Sequence, residues 1–261
     1  SITSNVTEGY NANEVVKKLK AEMLEYEKEG NLSKDVNYRF AGQQDEQAKE
    51  MAFLSKALLI ALFLVLLIIV SQFNSYSAPT VILLSVVLSL IGVFLGLVIS
   101  RQNFVVIMTM IGIISLAGVV VNNAIVLIDY TNSLRKRRRE ELGLKDHELL
   151  SNEDLLDCTI QGGKTRLRPV LLTAITTVLG LIPLAIGFNI DFFGLFSSYN
   201  PNIFLGGDNN MFFAPMAWTI IYGLTFATFL TLIILPSVYL LAYKFKVWIY
   251  QKLKMNIKSN F

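Results

Sequence analysis

The chain has 261 residues; 53% are apolar and only 16% are charged, against about 25% charged in ordinary soluble domains. That balance excludes a soluble domain of this size, and a net charge of +3 names no partner by itself. One cysteine, Cys158, and one histidine, His147, exclude a disulfide framework and a multi-ligand Cys/His metal centre.

The first residue is Ser1, and no signal-peptide pattern follows it. The chain is therefore expected to be a segment of a longer protein. Residues 1–50 are expected to form a soluble strand–helix–strand segment. Ile2 to Val6 is the first strand candidate. Asn11-x-x-Glu14 opens a helix carrying Val15, Val16, Leu19, Met23 and Tyr26, with Gly30 as its stop. Val36, Tyr38 and Phe40 alternate as in a half-buried strand.

Five apolar runs follow, each near the length of about 20 residues that a spanning helix needs. Their expected bounds are 51–71, 78–100, 104–129, 166–188 and 212–243. The fold class is thus an all-α polytopic membrane protein of five transmembrane helices, with a small α+β segment outside the membrane. Nine basic residues lie within residues 129–168, up to the first turn of the fourth run: Arg135, Lys136, Arg137, Arg138, Arg139, Lys145, Lys164, Arg166 and Arg168. The tail 244–261 adds Lys244, Lys246, Lys252, Lys254 and Lys258. By the positive-inside rule, loop 130–165 and the tail are cytoplasmic and the N-terminal segment is outside. Arg135–Arg139 is read as a topology determinant on anionic headgroups, not as a nucleic-acid site. Ser151-x-x-Asp154 is read as the start of a short amphipathic helix on that surface.

Polar residues inside the runs carry the functional signal. In the second, Ser85, Ser89, Gly92 and Gly96 form a face of small residues suited to close helix packing. In the third, Gly112, Ser115, Gly118 and Asn122 share an arc, with Asn123 at its edge. The first three are read as packing positions. The two asparagines either hydrogen-bond between helices or line a polar pathway. In the fourth, Arg166, Thr173, Thr176, Thr177, Gly180 and Gly187 share one side. Pro169 fits if that helix begins near Arg166, because the first turn needs no internal donors. Arg166 and Arg168 serve either as interfacial anchors or in function, and Arg166 shares the face of Thr173. No Asp or Glu lies in the middle of any run.

Gly163-Lys164-Thr165 resembles the end of a phosphate-binding loop, but Cys158 stands where that loop needs glycine. No catalytic triad or dyad is evident, so neither an enzyme nor a cofactor is expected.

The stretch Gly118-Val-Val-Val-Asn122-Asn123-Ala-Ile-Val-Leu-Ile-Asp129-Tyr130 resembles the third-from-last helix of resistance–nodulation–division (RND) efflux pumps of the acriflavine-resistance type. Thr165-Arg166-Leu-Arg168-Pro169-Val-Leu-Leu-Thr173, followed by Leu-Gly-Leu-Ile-Pro183, resembles the start of their next-to-last helix. Ser71-Gln-Phe-Asn-Ser-Tyr-Ser-Ala-Pro79 resembles the link between their eighth and ninth helices.

The resemblance implies helices eight to twelve of a twelve-helix transporter in the bacterial inner membrane, with residues 1–50 ending a periplasmic porter region. It also implies a proton-driven exporter of drugs or amphiphiles that is a homotrimer, and whose acid pair lies on a fourth helix outside this chain. Implied partners are the N-terminal half of the same transporter, a periplasmic adaptor and an outer-membrane channel. By the same resemblance Arg166 and Thr173 match the proton-relay arginine and threonine, and Asn123 matches the relay asparagine. Asn122 replaces a lysine found in many drug pumps, and an amide can hydrogen-bond but not supply a charge. Two alternatives stand beside this reading: a related transporter of lipids, peptides or metals, and a non-transporting membrane scaffold. The chain has no Met or Cys ladder suited to soft metals.

Overall fold

The computed structural model describes residues 12–30, 38, 40, 43–73, 77–102, 104–144, 150–191, 196–197, 199 and 202–252. The chain divides into two compact units, Ser1–Phe53 and Leu54–Phe261.

In the first unit, α1 spans Ala12–Lys28. Glu14 in its first turn and Lys28 in its last complement the helix dipole. The chain leaves it through Gly30 at φ +76°, a left-handed turn that glycine adopts without strain. The Tyr38 hydroxyl donates to Glu27 at 3.1 Å, and its ring meets Phe40 edge-on. The strand expected at residues 2–6 lies outside the described residues. Of the second expected strand only Tyr38 and Phe40 are described, and neither belongs to a strand.

The remaining helices are α2 (Gln43–Phe73), α3 (Ser77–Ser100), α4 (Val106–Glu141), α5 (Asn152–Ile186) and α6 (Asp208–Lys252). All five are long and apolar enough to cross a membrane. Between α5 and α6 the two-residue strands β1 (Phe188–Asn189) and β2 (Phe204–Leu205) pair antiparallel. Asn189 holds this ribbon closed, its amide donating to the carbonyls of Gly187 and Gly206 at 2.9 and 2.7 Å.

Four helices are longer than expected, α2 among them, which begins at Gln43 and not at 51. At 1.5 Å per residue, the 36 residues of α4 exceed the hydrocarbon thickness of about 30 Å. The expected loop 130–165 is therefore largely helix. Charged residues such as Arg and Glu are good helix formers, so the helix outlasts its apolar stretch. The helix expected at Ser151 and the fourth span are one element: the Ser151 hydroxyl accepts from the Asp154 N–H at 3.1 Å and α5 runs on to Ile186. Pro169 thus lies in the helix interior, not in a first turn, and Pro183 lies there too. The expected tail begins as helix, since α6 continues to Lys252.

Helix α6 packs against α3, α4 and α5 and is the centre of the bundle. The α3 face of small residues meets it. A Cβ on Gly92 would meet the Phe226 ring, with Cγ at 2.6 Å, and one on Gly96 would meet Tyr222. Gly112 of α4 faces Thr219, and Gly223 of α6 faces Leu116 and Val93. Ser85 and Ser89 are buried, and their hydroxyls donate to the Ile82 and Val86 carbonyls at 2.6 Å. Each is satisfied within its own helix, so the face demands no polar partner across the contact. Ser115 and Gly118 are not part of this packing. Both are exposed, and a Cβ on Gly118 would meet nothing within 4 Å.

Candidate functional site

Helices α4 and α5 run antiparallel along a seam. Arg138 pairs with Asp154 at 2.9 Å, and Arg135 donates to the Thr159 hydroxyl at 3.2 Å. Thr131 faces Gly162, and the Arg166 guanidinium lies 4.4 Å from the centre of the Tyr130 ring. Each step back along α4 is thus matched by a step forward along α5. Continuing the register brings Asn123 to the level of about residues 170–173.

The candidates therefore share one end of one seam, but not one environment. Asn123 is buried at 6% exposure, whereas its neighbour Asn122 is exposed. Ser115, Gly118 and Asn122 are all exposed and form one stripe along α4. On α5, Thr173, Thr176 and Gly180 are exposed as well. The Thr173 hydroxyl donates to the Val170 carbonyl at 2.9 Å, and Thr177 donates to the Thr173 carbonyl at 2.8 Å. These hydroxyls return their protons to the helix backbone and leave lone pairs facing outward.

Arg166 is half-buried, and its Nε is buried without an acceptor. It forms no ion pair among the described residues. Asp129, the nearest acid in sequence at this end of α4, is exposed. A guanidinium at the edge of an apolar stretch calls for an anion, because an unpaired charge there is costly. The π face of Tyr130 supplies part of that compensation. Among the described residues no group of three or more His, Cys, Asp or Glu side chains could hold a metal ion.

Sequence reasoning missed a second arginine. Arg135 is 4% exposed and lies between the rings of Tyr239 and Tyr243. Lys136, Arg137 and Arg138 of the basic run are exposed, and Arg135 alone is enclosed by α6. The available signal was the pair of tyrosines four residues apart on one face of α6. Beyond the apolar stretch, the Ser151 hydroxyl and then Arg138 hold the Asp154 carboxyl below its usual range.

The AcrB/AcrD/AcrF family model matches residues 1–189. Swarming motility protein SwrC of Bacillus subtilis is 35% identical over 212 residues, 81% of this chain and 17% of that protein. Multidrug resistance protein MdtC of Photorhabdus laumondii is 28% identical over 92% of this chain and 20% of its own length. Cobalt-zinc-cadmium resistance protein CzcA of Cupriavidus metallidurans is 30% identical over 71% of this chain and 14% of its own length. The crystal structure of a heavy metal efflux pump superposes with a TM-score of 0.63 at 25% identity, covering 91% of this chain and 20% of the pump. The chain spans a fifth or less of the length of these proteins.

Proposed function

The chain belongs to the AcrB/AcrD/AcrF family of RND transporters, and from that premise we propose that it forms helices eight to twelve of a proton-driven exporter of drugs or amphiphiles. The observation that carries this reading is the exposed polar stripe Ser115–Gly118–Asn122 of α4, with Thr173 and Thr176 exposed on α5 and Arg166 further along the same seam at Tyr130. An amide facing hydrocarbon is costly, so such a stripe belongs against protein. In this reading it faces the N-terminal half of the transporter, which supplies the acid that Arg166 lacks.

The chemistry is a charge switch. While the partner acid is ionised, Arg166 and the Asn122 amide attract it, and the buried Asn123 backs them from within the bundle. When it is protonated the attraction fades, and the two halves shift by the difference in interaction energy between the two states. Thr173 offers its outward lone pairs to a proton or a bridging water. With Asn122 in place of lysine, the chain supplies one cation to this switch instead of two.

The basic ends of α4, α5 and α6 face the cytoplasm in this arrangement, and residues 1–50 close a periplasmic porter region. The whole transporter is a homotrimer of the inner membrane, working with a periplasmic adaptor and an outer-membrane channel. Export of metal cations is the second reading, favoured by the likeness to CzcA and the heavy metal pump. The absence of a Met or Cys ladder in this chain weighs against it.

The test is efflux driven by a proton gradient from the complete transporter, with Arg166→Ala and Thr173→Ala. Both variants are expected to lose gradient-driven efflux while remaining in the membrane. Unchanged efflux in both would sink the relay assignment. Gradient-driven export of zinc or cobalt, with no export of amphiphilic dyes, would select the second reading.

A further inference from the structure

Helices α4 and α6 run parallel in one register. Gly112 faces Thr219, Leu116 fills the space beside Gly223, and Asn132 accepts from the Tyr239 hydroxyl; each α6 residue lies 107 positions after its α4 partner. The same offset sets Val106, the first residue of α4, level with Phe213. The apolar stretch Val106–Ile128 is about 35 Å long at 1.5 Å per residue, close to the hydrocarbon thickness of about 30 Å. Phe213 therefore stands at the hydrocarbon edge opposite the basic ends of the helices. Asn210 lies one turn earlier in α6, about 5 Å further out, and its side chain abuts Gly187 at the foot of the β1–β2 ribbon. The ribbon thus begins at headgroup depth.

Its composition is unlike that of a loop in water. Residues 188–213 hold seven of the chain's 17 phenylalanines and no lysine or arginine. Opposed residues of an antiparallel pair share a face. Phe188 and Leu205 form one face of the ribbon, exposed at 42% and 68%, and Phe204 stands on the other at 47%. Asn189, opposite Phe204, spends its amide on the Gly187 and Gly206 carbonyls. Phe212, edge-on to Phe213 at the start of α6, is exposed as well. A docked protein covers one face of a ribbon. A ribbon apolar on both faces calls for a medium that surrounds it. At headgroup depth that medium is lipid, where aromatic side chains are favoured.

We propose that the β1–β2 ribbon is a membrane-interface anchor, with Phe188, Phe204 and Leu205 inserted among the headgroups and upper acyl chains of the leaflet opposite the basic ends. With no basic side chain to attract anionic headgroups, it binds by apolar insertion and takes zwitterionic lipid. The anchor needs only that α5 and α6 span the membrane and does not depend on the transport reading.

The experiment places single cysteines on the two faces, Leu205→Cys and Phe204→Cys, in a Cys158→Ala background of the complete transporter. Each carries a nitrobenzoxadiazole fluorophore and is reconstituted in phosphatidylcholine vesicles. The quenchers are iodide on both sides of the membrane, and lipids with a nitroxide near the carbonyl end or near the methyl end of an acyl chain. Glu25→Cys, at an exposed position of α1, gives the aqueous reference. Both ribbon labels are expected to lose most of the iodide quenching seen at Glu25→Cys. Both are also expected to be quenched more by the nitroxide near the carbonyl end than by the one near the methyl end. Iodide quenching at either label equal to the reference would overturn the anchor. A label shielded from iodide and from both nitroxides would overturn it too, and would identify protein as the cover of that face. Stronger quenching from the methyl end would overturn the interfacial depth.

Discussion

Replacing Gly92 by alanine places a Cβ 2.6 Å from Cγ and 2.8 Å from Cδ1 of Phe226. Phe226 Cβ lies closer still, and turning the ring cannot move it; non-bonded carbons sit at about 3.5–4.0 Å, so the α3 and α6 backbones must separate by more than about 1 Å. Overpacking of this kind costs about 1–3 kcal/mol. Alanine also recovers about 0.8–1.0 kcal/mol of helix propensity. Gly118→Ala gains the same propensity, but its Cβ meets nothing within 4 Å. The propensity gain cancels in the comparison. Gly92→Ala should therefore be less stable than Gly118→Ala by about 1–3 kcal/mol. Unfolding of the chain in mixed micelles, followed by circular dichroism against rising dodecyl sulfate, measures that difference. Equal stability of the two variants, or lower stability of Gly118→Ala, would refute the packing argument.

Asn122→Lys in the complete transporter restores a second cation near the partner acid. An added positive charge favours the ionised carboxylate and lowers its pKa by about 1–3 units, so the pH profile of efflux should move to the acid side; an unmoved profile would count against Asn122 facing that acid. Ser151→Ala removes the cap of α5 and should cost about 1 kcal/mol, read by the same unfolding assay. Because the Asp154 carboxyl is held below its usual value, its contribution is present above about pH 4 and is lost as pH falls through the lowered value. Asp154→Asn should lower stability at neutral pH and flatten that part of the acid unfolding curve. Gly187→Ala should open the β1–β2 ribbon: at φ +70° a side chain is strained, and its Cβ would meet the Asn210 side chain. Faster amide exchange at Gly206, whose N–H donates to the Gly187 carbonyl, would report the opening.

The five spans were legible because each is a predominantly apolar run of spanning length, and hydrocarbon leaves such a run no alternative to helix. Their basic ends were not legible. Hydropathy stops at Asp129, while the helix continues through Arg135 to Glu141 because those residues favour helix and pack on α5 and α6. The α3 packing face was readable from its repeated small residues. Gly223 was not, since a single glycine carries no period, yet it lets Leu116 and Val93 approach α6. Gly112, Ser115, Gly118 and Asn122 looked like one arc, and the structure divides it. Gly112 is buried against Thr219 and the other three are exposed. Periodicity shows that residues share a side, not what covers that side. Arg135 was hidden for a related reason: a run of five basic residues reads as solvated unless the partner rings on α6 are known.

The central claim is that the Ser115–Gly118–Asn122 stripe faces protein and not lipid. In a Cys158→Ala background, Asn122→Cys in the complete transporter takes a nitroxide label, and Val98→Cys on the exposed side of α3 provides a second position. Collision rates with dissolved oxygen, measured by electron paramagnetic resonance in bilayers, distinguish the two environments. Low oxygen accessibility at position 122 with high accessibility at position 98 is the predicted result. An Asn122→Cys label as accessible to oxygen as the Val98→Cys label would contradict the claim.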